Sequence, residues 1–443
     1  MMNSILIVGN GYDLAKGLNT RFSDFFLPII RQFIIWLENN SNYQPLAPDI
    51  QKYCYVLKQK IPVVSEILLK NKDEFFNNIF IQITLNRFFP YINLLTSLIA
   101  INSQLYSYTV SSNYSSSIPR ITLAPDKDNK DYVVDVIRKT TSRLSEMNFS
   151  LTIFWMDIES LIKDIVTDNL SKIPEDSFTK INWYKFYEAI YQIENNFRTV
   201  TTITNDYTKY KHVSLKECLH GLNMFKDLFC EYLEKEENNY RSGKPKEIFL
   251  KNKFSHIISL NYTSTFIDSL NNSVPNKEKQ EDRICFVHGD RESKNIVIGT
   301  ESFYFEENSR SETNIEKIPF FKFFQKVLNK TDDKYLQWLN VNVDFSLTFF
   351  GFSFSQNDFD FIRELIVDDD GNTSSSNQGQ VRKHLKSITI YCKTKKDKFY
   401  YLVNLAACLG KKHLSSIKSI LNFEVIEKNS ECKGSSLAVM CTE

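Results

Sequence analysis

Small and polar residues that could bind or activate a ligand stand directly after four apolar runs of this sequence. These residues are Gly9 and Gly11, then Asn261, then His288, and finally Gly351 with Ser353. Most of the strand-like runs in the sequence are continuously apolar, which is typical of strands that helices cover on both faces of a parallel sheet. Open α/β sheets bind ligands at the carboxyl ends of their strands. The order therefore predicts one ligand site assembled from four remote segments.

Gly9 and Gly11 stand where the first predicted strand turns into a helix. Glycines at such a turn let a phosphate approach the N–H groups at the helix start. Leu14 takes the place of the third glycine of a full dinucleotide fingerprint, so the pair alone fits an ordinary strand-to-helix turn equally well. Asp13 either caps this helix or binds a ligand hydroxyl.

His288 is a candidate proton acceptor because an unperturbed imidazole has a pKa of about 6.5. Among the six histidines, it alone closes a predicted strand and precedes a glycine. Asn261 opens the polar triplet Asn261-Tyr262-Thr263 after another strand. Taken singly, each residue also fits a structural histidine or a plain turn.

Asp157 and Glu159 are the one acidic pair considered for a metal. They stand two positions apart, so they do not share a helix face. The eight cysteines lack the paired spacing of a structural zinc site. We therefore expect no metal, although a metal-dependent nuclease using Asp157, Glu159 and Asp13 stays open as an alternative.

The elements that position these residues form an α/β pattern. Strand-like runs lie at 4–9, 256–261, 283–289, 295–300, 346–352, 387–392 and 423–427, and helical periodicity dominates 21–250. The pattern predicts an open Rossmann-like, mostly parallel sheet with helices on both faces and a large helical insertion after the first strand. The predicted domains are 1–20 with 251–443 for the sheet, and 21–250 for the insertion.

Composition narrows the function classes. The 54 basic residues nearly balance the 53 acidic ones, so nucleic acid is not expected as the main ligand. No run of about 20 apolar residues occurs, which argues against a membrane span. The N-terminus lacks a signal-peptide pattern and the cysteines suggest reduced thiols, so we expect a cytoplasmic protein.

The motif order resembles the bacteriophage abortive-infection AbiH family. GNGYDLAKGLNTRFSDF, with Thr20 at its Thr position, resembles the opening signature of that family. WMDIE (155–159), SLNYTSTF (259–266), VHGD (287–290) and FFGFSFSQND (349–358) resemble its later blocks in the same order. The family in turn looks like a remote branch of the sirtuin-like, NAD-binding group.

This resemblance implies residue roles. In the sirtuin-like group, residues matching Gly9 and Gly11 hold the dinucleotide phosphates, those matching Asn261 and His288 work at the nicotinamide ribose, and those matching Gly351 and Ser353 hold the adenosine side. Asn10, Asp13, Thr20, Tyr262, Thr263 and Asp358 belong to the same blocks and are predicted to bind the cofactor too. The zinc-ribbon cysteines of protein deacetylases are absent, which argues against a deacylase. Thr263 departs from the Asn-x-Asp pattern, and Asp13 is a candidate for the missing carboxylate.

The resulting expectation is an antiphage effector that hydrolyses NAD to nicotinamide and ADP-ribose without a metal. A cell cannot tolerate constant hydrolysis of NAD, so we expect a homo-oligomer or a defence-system partner protein to regulate the activity. The alternative is a sensor that binds NAD or an ADP-ribose-like ligand without turnover. Such a sensor would use the same glycine loops but would not need His288.

Overall fold

The computed structural model describes most of the sheet and part of the helical region. The described residues are 2–40, 48–61, 67–88, 158–167, 214–242, 248–250, 254–270, 281–300, 315–331, 333–340, 342–368, 379–426 and 438–440. The chain divides into two compact units. The first contains Met1–Arg21 with Lys226–Glu443, and the second contains Phe22–Phe225.

A six-stranded sheet forms the centre of the first unit. Its strands are β1 (Asn3–Val8), β3 (His256–Ser259), β4 (Ile284–Phe286), β5 (Phe345–Phe350), β8 (Leu385–Cys392) and β9 (Leu421–Val425). They lie in the order β4-β3-β1-β5-β8-β9, and every pair is parallel. Counted along the chain, these six strands have the order 3-2-1-4-5-6 of a doubly wound Rossmann sheet.

Two apolar clusters cover opposite faces of this sheet because successive strand residues point to opposite sides. Ile5 and Ile7 of β1 belong to one cluster, and Leu6 and Val8 belong to the other. Helices of the first unit supply covering residues. They are α1 (Gly11–Lys16), α8 (Thr265–Leu270), α10 (Tyr335–Leu339), α11 (Phe359–Ile366) and α12 (Lys395–Ile417). The same unit contains α9 (Lys322–Asn329). The predicted α/β class, with its parallel sheet between helices, is confirmed.

Short elements complete the first unit. β2 (Ile248–Leu250) pairs antiparallel with β10 (Ala438–Met440), and β6 (Val367–Asp368) pairs antiparallel with β7 (Gln380–Val381). Single 3₁₀ turns cover Glu281–Arg283, Ile318–Phe320 and Gln356–Asp358. Most of the polar stretch 368–380 lies outside the described residues.

The run 295–300 was predicted as a strand, and this prediction is wrong. Ile296, Val297 and Ile298 are buried, but the segment forms no strand ladder, and its one β-pairing with a described residue is an isolated bridge between Thr300 and Phe321. The side-chain amide of Gln325 takes the place of a neighbouring strand, since it donates to the Ile298 carbonyl (2.8 Å) and accepts from the Ile298 N–H (3.1 Å).

The described part of the second unit is helical. It contains α2 (Phe22–Asn40), α3 (Pro48–Lys60), α4 (Lys72–Asn77), α5 (Ile79–Phe88), α6 (Ile158–Val166) and the beginning of α7 (Leu215–Ser242). The apolar stripe that predicted α2 is buried throughout, and rings of Phe25, Phe26 and Phe80 gather around Phe225 at 5.2–6.3 Å between centroids. The second half of α7, from Lys226, belongs to the first unit, whereas the sequence pattern assigned residues up to 250 to the insertion.

Candidate functional site at the strand carboxyl ends

The sheet order brings the four predicted motifs to neighbouring strand ends. Val8, Ser259 and Phe350 are register partners across β3, β1 and β5, and Phe286 of β4 is paired with Ser259. Neighbouring strands lie about 4.8 Å apart, so the ends of these four strands span roughly 15 Å. The residues just beyond them therefore form one edge of the sheet.

The glycines of β1 and β5 pack their backbones against each other. A Cβ on Gly11 would lie 2.7 Å from the Gly351 Cα, and one on Gly9 would lie 2.6 Å from the Gly351 oxygen. Gly351 itself has a φ of +65°, and its Cβ would meet the Tyr12 nitrogen at 2.2 Å. This contact between two turns accounts for all three glycines.

The N–H groups at this turn already have partners. Gly9 donates to the Phe350 carbonyl at 3.0 Å, and Gly11 donates to the Gly351 carbonyl at 2.8 Å. These two N–H groups therefore give no support to the phosphate-binding role predicted for Gly9 and Gly11. The neighbouring Asn10 side chain accepts a hydrogen bond from the Thr20 hydroxyl at 2.6 Å, so these two predicted ligand residues bind each other.

Asp13 lies in the first turn of α1 and is almost fully buried. Its two carboxylate oxygens accept hydrogen bonds from the hydroxyls of Thr263 (2.5 Å) and Thr265 (2.6 Å). Burial raises the pKa of Asp13 to about 6, opposed by these two hydrogen bonds. The Lys16 ammonium donates to the Thr265 carbonyl at 2.7 Å. Asp13 thus fixes the segment after β3. Thr265, which binds Asp13 here, was not predicted as a site residue from the sequence.

Two further buried groups hold the same segment. Glu237 of α7 accepts a hydrogen bond from the Ser264 N–H at 2.7 Å, and its second oxygen lies 2.5 Å from a guanidinium nitrogen of Arg291. The backbone N–H of Arg291 donates to the Tyr262 carbonyl at 2.9 Å. The Tyr262 hydroxyl in turn donates to the Val297 carbonyl at 2.9 Å. Neither Glu237 nor Arg291 was predicted from the sequence, because Glu237 lies inside a long helix and Arg291 lies beyond the residues that directly close its strand.

Asn261 differs from these neighbours in that its side chain is buried without a hydrogen bond to a described residue. It is 3% exposed, and neither atom of its side-chain amide has a hydrogen-bond partner among the residues that the structure describes. Its backbone is fixed, since its N–H donates to the Ser259 hydroxyl at 3.1 Å. Buried polar groups without a partner are rare in folded proteins. A donor and an acceptor side by side at a strand end are suited to a polar ligand.

His288 lies at the same level on the adjacent strand end, since it follows β4 by two residues as Asn261 follows β3. It is 6% exposed, and its Nε2 lies 3.9 Å from Oδ1 of Asp358. Burial holds its pKa well below 6.5, and the positive charges of Lys322 and Lys326 add to the effect. The imidazole is therefore neutral near pH 7, as a proton acceptor must be.

The segment after β5 also contributes side chains to this edge of the sheet. Asp358 accepts hydrogen bonds from the Ser355 hydroxyl at 3.0 Å and from the Lys322 ammonium at 3.1 Å. Ser353 is half-buried and makes no side-chain hydrogen bond to a described residue. Phe354 is fully buried with a φ of +53°, a conformation that side chains other than glycine seldom adopt and that clusters at functional sites.

The structure does not test the acidic pair considered for a metal. Asp157 lies outside the described residues, and Glu159 belongs to α6 of the second unit. Within the described ranges, no group of three or more His, Cys, Asp or Glu side chains is placed to hold a metal ion. Likewise, no described helix is long and apolar enough to cross a bilayer.

Strand order and polar strand ends together define a Rossmann-like α/β protein with a candidate ligand site at the carboxyl edge of its sheet. The chain belongs to the AbiH family: the family model described as bacteriophage abortive infection AbiH matches residues 5–376. That match includes all four strand-end motifs and assigns the chain to antiphage abortive infection. No curated protein and no solved structure matches the sequence.

Proposed function

We propose that this AbiH protein hydrolyses NAD to nicotinamide and ADP-ribose, with Asn261 and His288 as catalytic residues. The observation that carries the proposal is the buried Asn261 amide without a partner, which stands one strand away from a neutral histidine at the ligand-binding edge of a Rossmann sheet. The sirtuin-like part of the resemblance supports the same proposal, because it implies that Asn261 and His288 act at the nicotinamide ribose.

The chemistry needs few groups. Water attacks C1′ of the nicotinamide ribose, the C1′–N bond breaks, and its electron pair returns to the pyridinium nitrogen, so nicotinamide leaves neutral. The transition state resembles that of glycoside hydrolysis. His288 accepts the proton of the attacking water, and the Asn261 amide orients the water or a ribose hydroxyl. Both amide atoms are shielded from solvent, so ligand entry requires the surrounding segments to move.

The dinucleotide phosphates need partners other than the N–H groups of Gly9 and Gly11, which donate to carbonyls. Ser353 has a hydroxyl available at the β5 end. We propose that NAD binds across the ends of β4, β3 and β1, with Asp358 beside His288 and Ser353 at the far, β5 side.

Purified protein tests this proposal through the loss of NAD and the release of ADP-ribose. His288→Gln and Asn261→Ala are expected to lower the rate by about 100-fold or more. His384→Gln and Asn422→Ala are matched controls, because Asn422 is exposed and His384 is partly exposed, and neither residue lies at the carboxyl end of a strand. NAD is measured in parallel in phage-infected cells, in which the natural trigger is present.

A sensor that binds without turnover shares the Asn261 observation but does not need His288. Calorimetry separates the two, since a sensor keeps intact NAD at a fixed stoichiometry while an enzyme accumulates product. Persistent NAD in infected cells, or equal rates for both site variants and their controls, would reject the hydrolase. We further propose that a homo-oligomer or a partner protein restrains the activity, which size measurements before and after infection test.

A further inference from the structure

A buried lysine shares a carboxylate oxygen with the candidate proton acceptor. Oδ1 of Asp358 lies 3.1 Å from the Lys322 ammonium and 3.9 Å from Nε2 of His288. The three side chains come from three different elements: the turn after β4, the first position of α9, and the 3₁₀ turn Gln356–Asp358. All three are largely shielded from water, so their charges act on one another strongly.

The backbone holds Lys322 firmly in this position. Its N–H donates to the Thr300 carbonyl at 2.8 Å, and the Thr300 N–H donates to the Phe320 carbonyl at 2.9 Å. The segment that ends at Thr300 is itself tied to the histidine, because the Val297 N–H donates to the His288 carbonyl at 2.8 Å. The Lys322 ammonium also donates to the Asn357 carbonyl at 2.8 Å. The lysine is thus anchored at both its backbone and its side chain.

Burial is the main cause of the low pKa of His288, and the charges around the imidazole act in addition to it. A carboxylate beside a histidine normally favours the imidazolium, whereas an ammonium disfavours it. The charged groups that face His288 are Asp358 from the turn after β5, and Lys322 and Lys326 from α9. Lys322 bonds the same oxygen that approaches His288, so it compensates the carboxylate and opposes a second positive charge.

We propose that Lys322 is a positioning residue that keeps His288 in its neutral, proton-accepting form by binding the Asp358 carboxylate. Without the ammonium, the Asp358 oxygen would be uncompensated and would favour an imidazolium. The importance of this arrangement for catalysis rests on the proposed function, but the arrangement itself can be tested without any substrate.

The test follows the Cε1–H signals of the histidines by NMR as a function of pH, in full-length protein labelled at that carbon. His288→Gln assigns the signal. The wild-type His288 signal is expected to titrate well below pH 6.5 or not at all, and in Lys322→Met its pKa is expected to rise above 6.5. Lys322→Arg keeps the charge and should keep the low value. Lys326→Met, on the same helix, should shift it less.

A double variant separates this electrostatic role from a structural one. In Lys322→Met with Asp358→Asn, the carboxylate is gone as well, so the pKa of His288 is expected to return below 6.5. An unchanged pKa in Lys322→Met, or an equal rise in the double variant, would overturn the proposal. Protein that lacks NAD hydrolysis but shows these shifts would refute the proposed function alone.

A pH profile links the arrangement to the reaction. If NAD is hydrolysed, Lys322→Met should lose activity on the acidic side and regain it above the new pKa of His288. A uniform loss at every pH, without a change of profile, would mean that Lys322 acts only on structure.

Discussion

At the scale of single residues, a buried carboxylate fixes the chain segment that carries Asn261. Asp13 accepts hydrogen bonds from Thr263 and Thr265, and Glu237 accepts one from Ser264 between them. The polar side chains next to Asn261 are thus engaged within the protein. This arrangement leaves the Asn261 amide as the group with unused hydrogen-bonding capacity in the described part of that segment.

The raised pKa of Asp13 makes stability depend on pH. Its pKa is about 6 in the folded protein against an ordinary value of 3.8, so folding favours the protonated form. This contribution is fully present below the unfolded-state pKa of about 3.9 and is lost as the pH rises through about 6. Relative to Asp13→Asn, the wild-type free energy of unfolding should therefore fall by about 3 kcal/mol between about pH 4 and pH 7.

Urea unfolding of both proteins across this pH range provides the measurement. Every other titrating group is common to the two proteins, so the difference isolates residue 13. Parallel stability curves would show that Asp13 ionises as freely when folded as when unfolded.

The unpartnered amide of Asn261 should reduce stability in the free protein. Leaving such a group buried costs about 1–3 kcal/mol, whereas an apolar side chain of the same shape avoids the cost. Asn261→Leu should therefore raise the free energy of unfolding by about 1 kcal/mol and abolish ligand binding. Thr263→Val is the matched control: it removes a bonded hydroxyl from Asp13 and should destabilise by about 1–2 kcal/mol. A destabilised Asn261→Leu protein would mean that the amide has a structural partner.

At the scale of elements, the contact between the β1 and β5 turns determines where a ligand can lie. A Rossmann sheet normally opens a crevice where its strand order reverses, which here is between β1 and β5. Gly9, Gly11 and Gly351 bring the two backbones together at that point. The unpartnered Asn261 amide lies instead at the end of β3, one strand from His288 after β4, so the proposed site is displaced toward that side.

Alanine substitutions measure how closely these turns are packed. Gly351 and Gly17 both have positive φ, but a Cβ at Gly351 would lie 2.2 Å from the Tyr12 nitrogen, while one at Gly17 meets nothing within 4 Å. Gly17→Ala should cost about 1 kcal/mol for its backbone conformation alone. Gly351→Ala should cost at least about 2 kcal/mol more because the turns must separate. Thermal unfolding compares the two, and equal losses would contradict the close contact.

At the scale of the whole molecule, the family assigns the protein to abortive infection, and the proposed site can be tested for its part in that defence. We expect the wild-type chain, expressed in a phage-sensitive bacterium, to lower plaque numbers while the infected cells die. Asn261→Leu should remove this protection at unchanged protein level, because it removes the proposed ligand contact without loss of stability. His384→Gln should protect as the wild type does. Full protection by Asn261→Leu would separate the defence from this site.

Much of the sheet could be predicted because its signals are local. Six of the seven predicted strands exist, and most of their ends lie within about two residues of the predicted limits. They could be predicted because an apolar run between polar breaks depends only on neighbouring residues. The failure at 295–300 has a tertiary cause. The Gln325 side chain satisfies the buried backbone that a neighbouring strand would otherwise satisfy.

The amino-acid sequence by itself determined the parallel α/β class, the family and the position of the four motifs at strand ends. Only the tertiary structure decided which predicted site residues are bonded within the protein, such as Asp13, Thr263 and Asn10, and which keep free polar groups, such as Asn261. It also brought Lys322 to Asp358 and His288. The reason is physical: strand and helix patterns arise from neighbouring residues, whereas hydrogen-bond partners and charge neighbours come from segments that approach each other only after folding.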